Sequence, residues 1–454
     1  MRTFPPLPDA CRLEHRVAEI LTEQEIHGWT FDEQKAQQLE SSLRREMEET
    51  IEILRGQFPF VAGSLFTPKR DNATQGYREG CEIQRIKEFN PTSRDHIAWI
   101  LTTHFKVKLS KTTTTGKPII DEITLTEIDI PFSRACAKCL TIKKKLGMIS
   151  EGVNAWNKLV TTSKRIHHHC SVATNTFRCA HRKPNLAQVP SDERFRKLFT
   201  ASPGMVMCGA DLSGIELRIL SHYLARYDGG RYADILLNGD IHQVNADKIG
   251  ISRRAVKTVT YAFLYGAGDA KIGLSVDKQL SPNKARAKGK EVRAAFIAAI
   301  PGLSELLQAV KKRSSTGSIM AVDGRKIYVD STHKALNYLL QCSAGIVAKR
   351  WLHITHENLP PTAHQLAFVH DELQYECKKE DVEDLKFLLE LSAAQAGEYY
   401  SLRVPIAAES ISTGICPSIL LTVPRVSFES AIGITIKSGE IERVENALIF
   451  GTHV

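Results

Sequence analysis

The stretch "MVMCGADLSGIELRIL" (205–220) reads as a short apolar strand running straight into a helix. Asp211 lies where one gives way to the other, a place from which side chains project into a cleft. Downstream, "HQLAFVHDELQYEC" (364–377) reads as two apolar strands meeting at His370-Asp371, so a second carboxylate sits at a hairpin turn. One carboxylate at a strand end is commonly just a cap or turn former. Two of them, on strands set among long helical blocks, suggest a shared use.

A helix between them supplies the complement. "RRAVKTVTYAFLYGAG" (253–268) has apolar surface from Ala255, Val256, Val259, Ala262, Phe263 and Leu264 and no proline to interrupt it. Arg253, Lys257, Tyr261 and Tyr265 fall at steps of four and share a stripe. Like charges at that spacing cost a helix about a few tenths of a kcal/mol. A bound triphosphate would reverse the sign: both cations would grip it and oppose charge developing on the leaving pyrophosphate.

The paired carboxylates fit the same picture. Magnesium takes one or two protein carboxylates and completes its octahedron with water and substrate phosphates. Two such ions roughly 4 Å apart can activate an attacking oxygen and stabilise a leaving one.

These segments resemble the three motifs of family A DNA polymerases, in their phage-type replicative branch. "DLSGIELR" (211–218) is similar to motif A, "RRAVKTVTYAFLYG" (253–266) to motif B and "VHDE" (369–372) to motif C. "NPTSRDHI" (90–97), "FRCAHRKPNLAQVP" (177–190), "RYADILLNGDIH" (231–242), "DGRKIYV" (323–329) and "ALNYLLQ" (335–341) extend the likeness in the family's order, over roughly residues 13–412. The resemblance implies a right-hand α+β fold, with an antiparallel palm sheet and helical fingers and thumb. It implies 1–163 as thumb with a short insertion near 57–90, 164–230 as the first part of the palm, 231–336 as fingers and 337–416 as the second part of the palm.

It also implies template-directed addition of dNTPs to a primer 3′-hydroxyl in phage-type DNA replication. Asp211, Asp371 and the Leu212 carbonyl would hold two Mg2+ ions. Arg253, Lys257 and His242 would grip the triphosphate, Tyr261 would pack on the sugar, and Tyr265 would sit at the templating position. Glu216, one helical turn beyond Asp211, would hydrogen-bond that tyrosine and block a ribose 2′-hydroxyl. Alone it would read as a solvated carboxylate. Arg178, Asn185, Gln188, Asn337, Gln341 and His370 match positions near the primer terminus and minor groove, where contacts test pair geometry without reading sequence. Glu372 either assists at the primer end or finishes the turn. A tyrosine rather than phenylalanine at 261 implies ready use of dideoxynucleotides.

Composition agrees without deciding. The chain has 454 residues, 43% hydrophobic and 24% charged, with a formal net charge of +9 that leans toward a polyanionic partner. The start, "MRTFPPLPDACRLEH", lacks the apolar region of a signal peptide and no apolar run approaches spanning length, so a cytoplasmic protein (host cytoplasm, if viral) without membrane contact is expected. Ten cysteines in a chain this long read as reduced thiols. Cys136 and Cys139 form a C-x-x-C upstream of "HHHC" (167–170), but no second C-x-x-C exists, so a shared buried helix face outweighs zinc. Lys143, Lys144 and Lys145 read equally as a solvated face or a phosphate contact.

Along the chain, 13–56 reads as long helices, 57–90 as an exposed loop or small insertion, and 319–329 as a hairpin about an Asp-Gly turn. Three departures from the family qualify the resemblance. The chain starts where a thumb would start, so proofreading would need a separately encoded 3′-5′ exonuclease. The short 57–90 segment argues against a thioredoxin-like processivity factor. The tail at 417–454 matches nothing in the family and is unexplained. Two other functions stay open: a catalytically impaired primer-template-binding subunit needing a partner, and a single-subunit RNA polymerase, against which Glu216 and Tyr261 together speak.

Overall fold

The structure, a computed structural model, describes residues 7–413; the tail at 417–454 lies outside them. Its centre is a four-stranded antiparallel sheet of β1 (Met205–Leu212), β2 (His364–Val369), β3 (Glu372–Lys378) and β4 (Ala408–Thr413), in the order β2-β3-β1-β4. Side chains alternate across its faces. Cys208, Ala210, Leu212, Leu373 and Tyr375 enter one core cluster, whereas Met207 and Leu366 enter another. With both faces covered, these strands read as nearly continuous apolar runs.

Six helices matter for the site: α1 (Asp9–His27), α2 (Ile215–Asp228), α3 (Ile241–Ile249), α4 (Arg253–Leu264), α5 (Ala335–Glu357) and α6 (Val382–Tyr399). α5 is buried nearly all round, which makes it a core pillar. Its Trp351 indole donates to the Leu389 carbonyl of α6 at 2.8 Å. Two cations on α5 are buried only because α1 supplies partners: Lys349 pairs with Glu14, and Arg350 with Asp9. α1 meanwhile buries Leu13, Val17, Ile20 and Leu21, the helical spacing visible in the sequence.

The segment 13–56, which reads as long helices, also contains a short strand, Trp29–Phe31, between α1 and the helix Glu33–Gln57. Gly28, at φ 67°, ends α1. Trp29 and Phe31 then enter the second core cluster. The 57–90 segment, expected as a loop, forms an antiparallel hairpin of Phe60–Phe66 and Ile83–Glu88. Most of its side chains are exposed on both faces, so no burial periodicity marked it. Ser318–Met320 and Lys326–Tyr328 pair as the expected hairpin. Cys136 and Cys139 are fully buried on one face of the helix Pro131–Leu146, among apolar side chains. Among the described residues, no single helix is long and apolar enough to cross a membrane.

One buried ionic knot ties the sheet to the N-terminal region. Glu376 of β3 is fully buried and accepts from His27 Nε2 at 2.6 Å, the Ser202 N–H at 2.7 Å and the Ser202 hydroxyl at 2.7 Å. Burial opposes its charge, but the His27 and Ser202 bonds win and pull the carboxyl down to about 2. The depressed value means a stabilisation fully present above about pH 4.5 and lost as pH falls through about 2, worth about 3 kcal/mol. Urea unfolding at stepped pH should show the wild type losing about that much more than Glu376→Gln over this window. Parallel profiles for the two proteins would contradict the assignment.

Candidate nucleotide and metal site

The register of the central sheet brings the two carboxylate residues together. β3 pairs with β1 so that Glu372 lies opposite Asp211, and the Leu212 N–H donates to the Asp371 carbonyl at 2.9 Å. Asp211, near the end of β1, and Asp371, in the turn that leads into β3, are 160 positions apart in the chain and thus come to neighbouring places at one end of the sheet. β4 adds a carboxylate missing from the sequence reading: Glu409 lies opposite Asp211 on its other side and accepts from the Ser213 hydroxyl at 3.0 Å. Gly214, at φ 58°, lets the chain leave β1 and start α2 within two residues.

Asp371 belongs to a tight two-residue hairpin. His370 has φ 61°, a left-handed conformation that strains a residue with a side chain, and the Asp371 N–H donates to the Val369 carbonyl at 2.8 Å. Strain of this kind is held where surrounding structure over-determines it, commonly at functional sites. Burial, with the charge of Glu216 next, pushes the Asp371 carboxyl up to about 7, against the pull of Arg178.

Glu216 joins three elements. It is buried, accepts from Arg178 at 2.8 Å and accepts from the Tyr265 hydroxyl at 2.8 Å. Arg178 keeps its charge: burial opposes it, and Glu216, Tyr265 and Asp371 outweigh burial. Burial, then Glu216, pushes the Tyr265 phenol up to about 12, so it stays a donor. Tyr265 itself lies one residue past the end of α4, not on the helix, because Gly266 at φ 70° turns the chain there. Tyr265 as a whole remains 46% exposed.

On α4 the expected pair of like charges is resolved in part within the protein. Arg253 Nε lies 2.6 Å from Asp240, which also caps α3 through the His242 and Gln243 N–H groups. The sequence reading missed Asp240, although an aspartate just before Ile241 is a helix-start signal. Lys257 is exposed and forms no ion pair among the described residues. His242 is buried with its Nδ1 unpartnered, and its ring centre lies 6.3 Å from that of Tyr261. Burial, followed by Lys257 and Arg253, lowers its pKa, so the ring is a neutral donor or acceptor.

The remaining candidates are dispersed around this centre. Asn337 of α5 donates to the Leu264 carbonyl at 2.8 Å, and Gln341 follows one turn later on the same helix, half-buried. The His370 ring stands edge-on to His181, with centres 6.2 Å apart. Asn185 and Gln188 are exposed, the first just before and the second at the end of the short turn Leu186–Gln188. Lys145 pairs with Asp192 and Lys143 donates to Thr92, so two of the three consecutive lysines have protein partners.

The family model for DNA polymerase family A matches residues 70–414. Over 501 aligned positions the chain is 30% identical to the DNA-directed DNA polymerase of Enterobacteria phage T3, covering 88% of this chain and 68% of that one. Its identity to the DNA-directed DNA polymerase of Escherichia phage T7 is 31%, over 82% of this chain and 64% of the relative. The chain therefore spans about two thirds of the length of these phage proteins. In fold it is similar to the polymerase domain of Pol1 from M. smegmatis, solved with DNA primer-template and dNTP, at TM-score 0.71, 21% identity and 89% coverage of this chain.

Proposed function

The chain belongs to DNA polymerase family A, and from that membership we propose that it is a DNA-directed DNA polymerase extending primer 3′-hydroxyls in phage-type replication. In this reading 1–163 is the thumb, 164–230 and 337–416 the palm, and 231–336 the fingers. The observation that carries it is the bridge through Glu216, which ties the end of α4 to the strand ends bearing Asp211 and Asp371.

Asp211, Asp371 and the Leu212 carbonyl would hold two magnesium ions. The donors are all oxygens, which suits a hard cation, and burial followed by the charge of Glu216 makes the bare Asp371 carboxylate costly, a cost that a bound cation would relieve. When bound, the ions would supply Lewis-acid activation of the primer hydroxyl and charge neutralisation at the leaving pyrophosphate. The chain's own residues do the rest. Lys257, Arg253 and His242 bind the triphosphate, with Arg253 exchanging Asp240 for phosphate. Tyr261 orients the sugar, and Tyr265 stacks at the templating position. Glu216, fixed by Arg178 and Tyr265, crowds the place of a ribose 2′-hydroxyl. Arg178, Asn185, Gln188, Asn337, Gln341 and His370 contact the primer-template duplex.

Purified chain given primer-template DNA, the four dNTPs and Mg2+ should extend the primer one nucleotide at a time, choosing dNTP strongly over rNTP in competition. Glu216→Ala should weaken that choice and also slow extension, because Arg178 and Tyr265 lose their common partner. Tight DNA binding with no extension at any Mg2+ concentration would favour the impaired-subunit reading, and preference for rNTP would overturn the role of Glu216.

A further inference from the structure

The run "HHHC" (167–170) is divided by the fold. His167 and His169 turn toward α1, each with its Nδ1 2.8 Å from Glu25, the first at the carbonyl and the second at the carboxylate. His168 and Cys170 alternate onto the other face, where Cys170 pairs across the hairpin with His181. The ligand atoms of His168, Cys170 and His181 lie within 4.8 Å of one another, and all three residues are buried. Cys170 Sγ is already 3.1 Å from His181 Nδ1. A fourth wall comes from α1: Gln24 Nε2 lies 3.2 Å from His168 Nε2 and 3.4 Å from Cys170 Sγ, while its oxygen accepts from Gln365 at 2.8 Å.

The geometry points to a structural transition-metal site, of zinc type, formed by His168, Cys170 and His181 with water as fourth ligand, the Gln24 amide nitrogen lining the wall as a donor. Two imidazoles and a thiolate are a borderline-to-soft set suited to Zn2+, unlike the all-oxygen donors at Asp211 and Asp371. A tetrahedral shell with bonds of about 2.0–2.3 Å separates neighbouring ligands by roughly 3.4 Å, close to the existing Cys170–His181 spacing. Burial keeps both rings neutral, with His168 pushed down to about 3 and His181 to about 4, so their lone pairs are available. Binding forms one metal–sulfur bond and releases the Cys170 thiol proton to water. His181 stands against His370, so an ion here would brace the strained turn that carries Asp371.

Cobalt(II) titration of the untagged full-length chain tests this without reference to polymerase activity. One equivalent should produce a thiolate-to-cobalt charge-transfer band with tetrahedral ligand-field bands, all displaced by one equivalent of Zn2+. Cys170→Ser should abolish the band, and Cys179→Ser, altering a neighbouring buried thiol outside the set, should keep it. Zn2+ should also raise the thermal midpoint of the wild type but not of Cys170→Ser. Absence of the charge-transfer band in the folded wild type, or its survival in Cys170→Ser, would overturn the proposal. The carboxylates of Asp211 and Asp371 cannot give that band, so cobalt bound there would not be mistaken for it.

Discussion

Asp371→Asn should reduce primer extension more than about 10³-fold without lowering the thermal midpoint of the metal-free protein at pH 8. The two halves of this expectation come from one property of the site. The carboxylate lies on a tight turn beside Asp211, with burial and Glu216 pushing its pKa up to about 7. A carboxyl whose folded value is raised destabilises the fold as pH climbs from about 4 through about 7, because the charged form is the less favourable one there. Removing the charge therefore relieves the metal-free protein, whereas the proposed reaction loses a ligand it cannot replace. A residue kept only to form the turn would show the reverse pattern, normal extension with reduced stability. Extension within tenfold of wild type would remove Asp371 from the chemistry.

This trade of stability for charge was only half readable beforehand. Apolar runs on either side of His370-Asp371 and before Asp211 gave the strands, since alternation and turn residues are local signals. The partners those strands would choose are not local. Glu409 lies opposite Asp211 only because β4 joins β1 from some 200 residues downstream, and nothing within "AESIST" specifies that register. Arg178 meeting Glu216 is hidden for the same reason. Short elements failed differently. Trp29–Phe31 has three residues, too few for a period of two to show between flanking helices. The stripe on α4 continued to Tyr265 in the sequence, yet Gly266 ended the helix one residue earlier. "HHHC" looked like one feature and became two, because alternating residues in an extended segment face opposite ways.

The division of labour between the two cations of α4 yields the second large effect. Lys257→Ala should lower kcat for nucleotide addition about 10²–10³-fold, with DNA affinity nearly unchanged. Arg253→Ala should act mainly on the KM for dNTP. The difference arises from what each side chain does before substrate arrives. Arg253 already pairs with Asp240 at 2.6 Å, so a triphosphate must replace an existing ion pair, and the net gain per contact is small. Lys257 has no such pair among the described residues, lies next to the buried, neutral His242, and can place its full charge on phosphate oxygens. Its value rises as charge accumulates on the departing pyrophosphate, which makes it a transition-state contact rather than a binding contact. Lys257→Arg keeps the charge but replaces a compact ammonium with a planar fork, and should restore only part of the rate. Single-turnover addition of one dNTP separates these cases. Equal losses in KM alone for Lys257→Ala and Arg253→Ala would mean that the helix holds the substrate without assisting the departure of pyrophosphate.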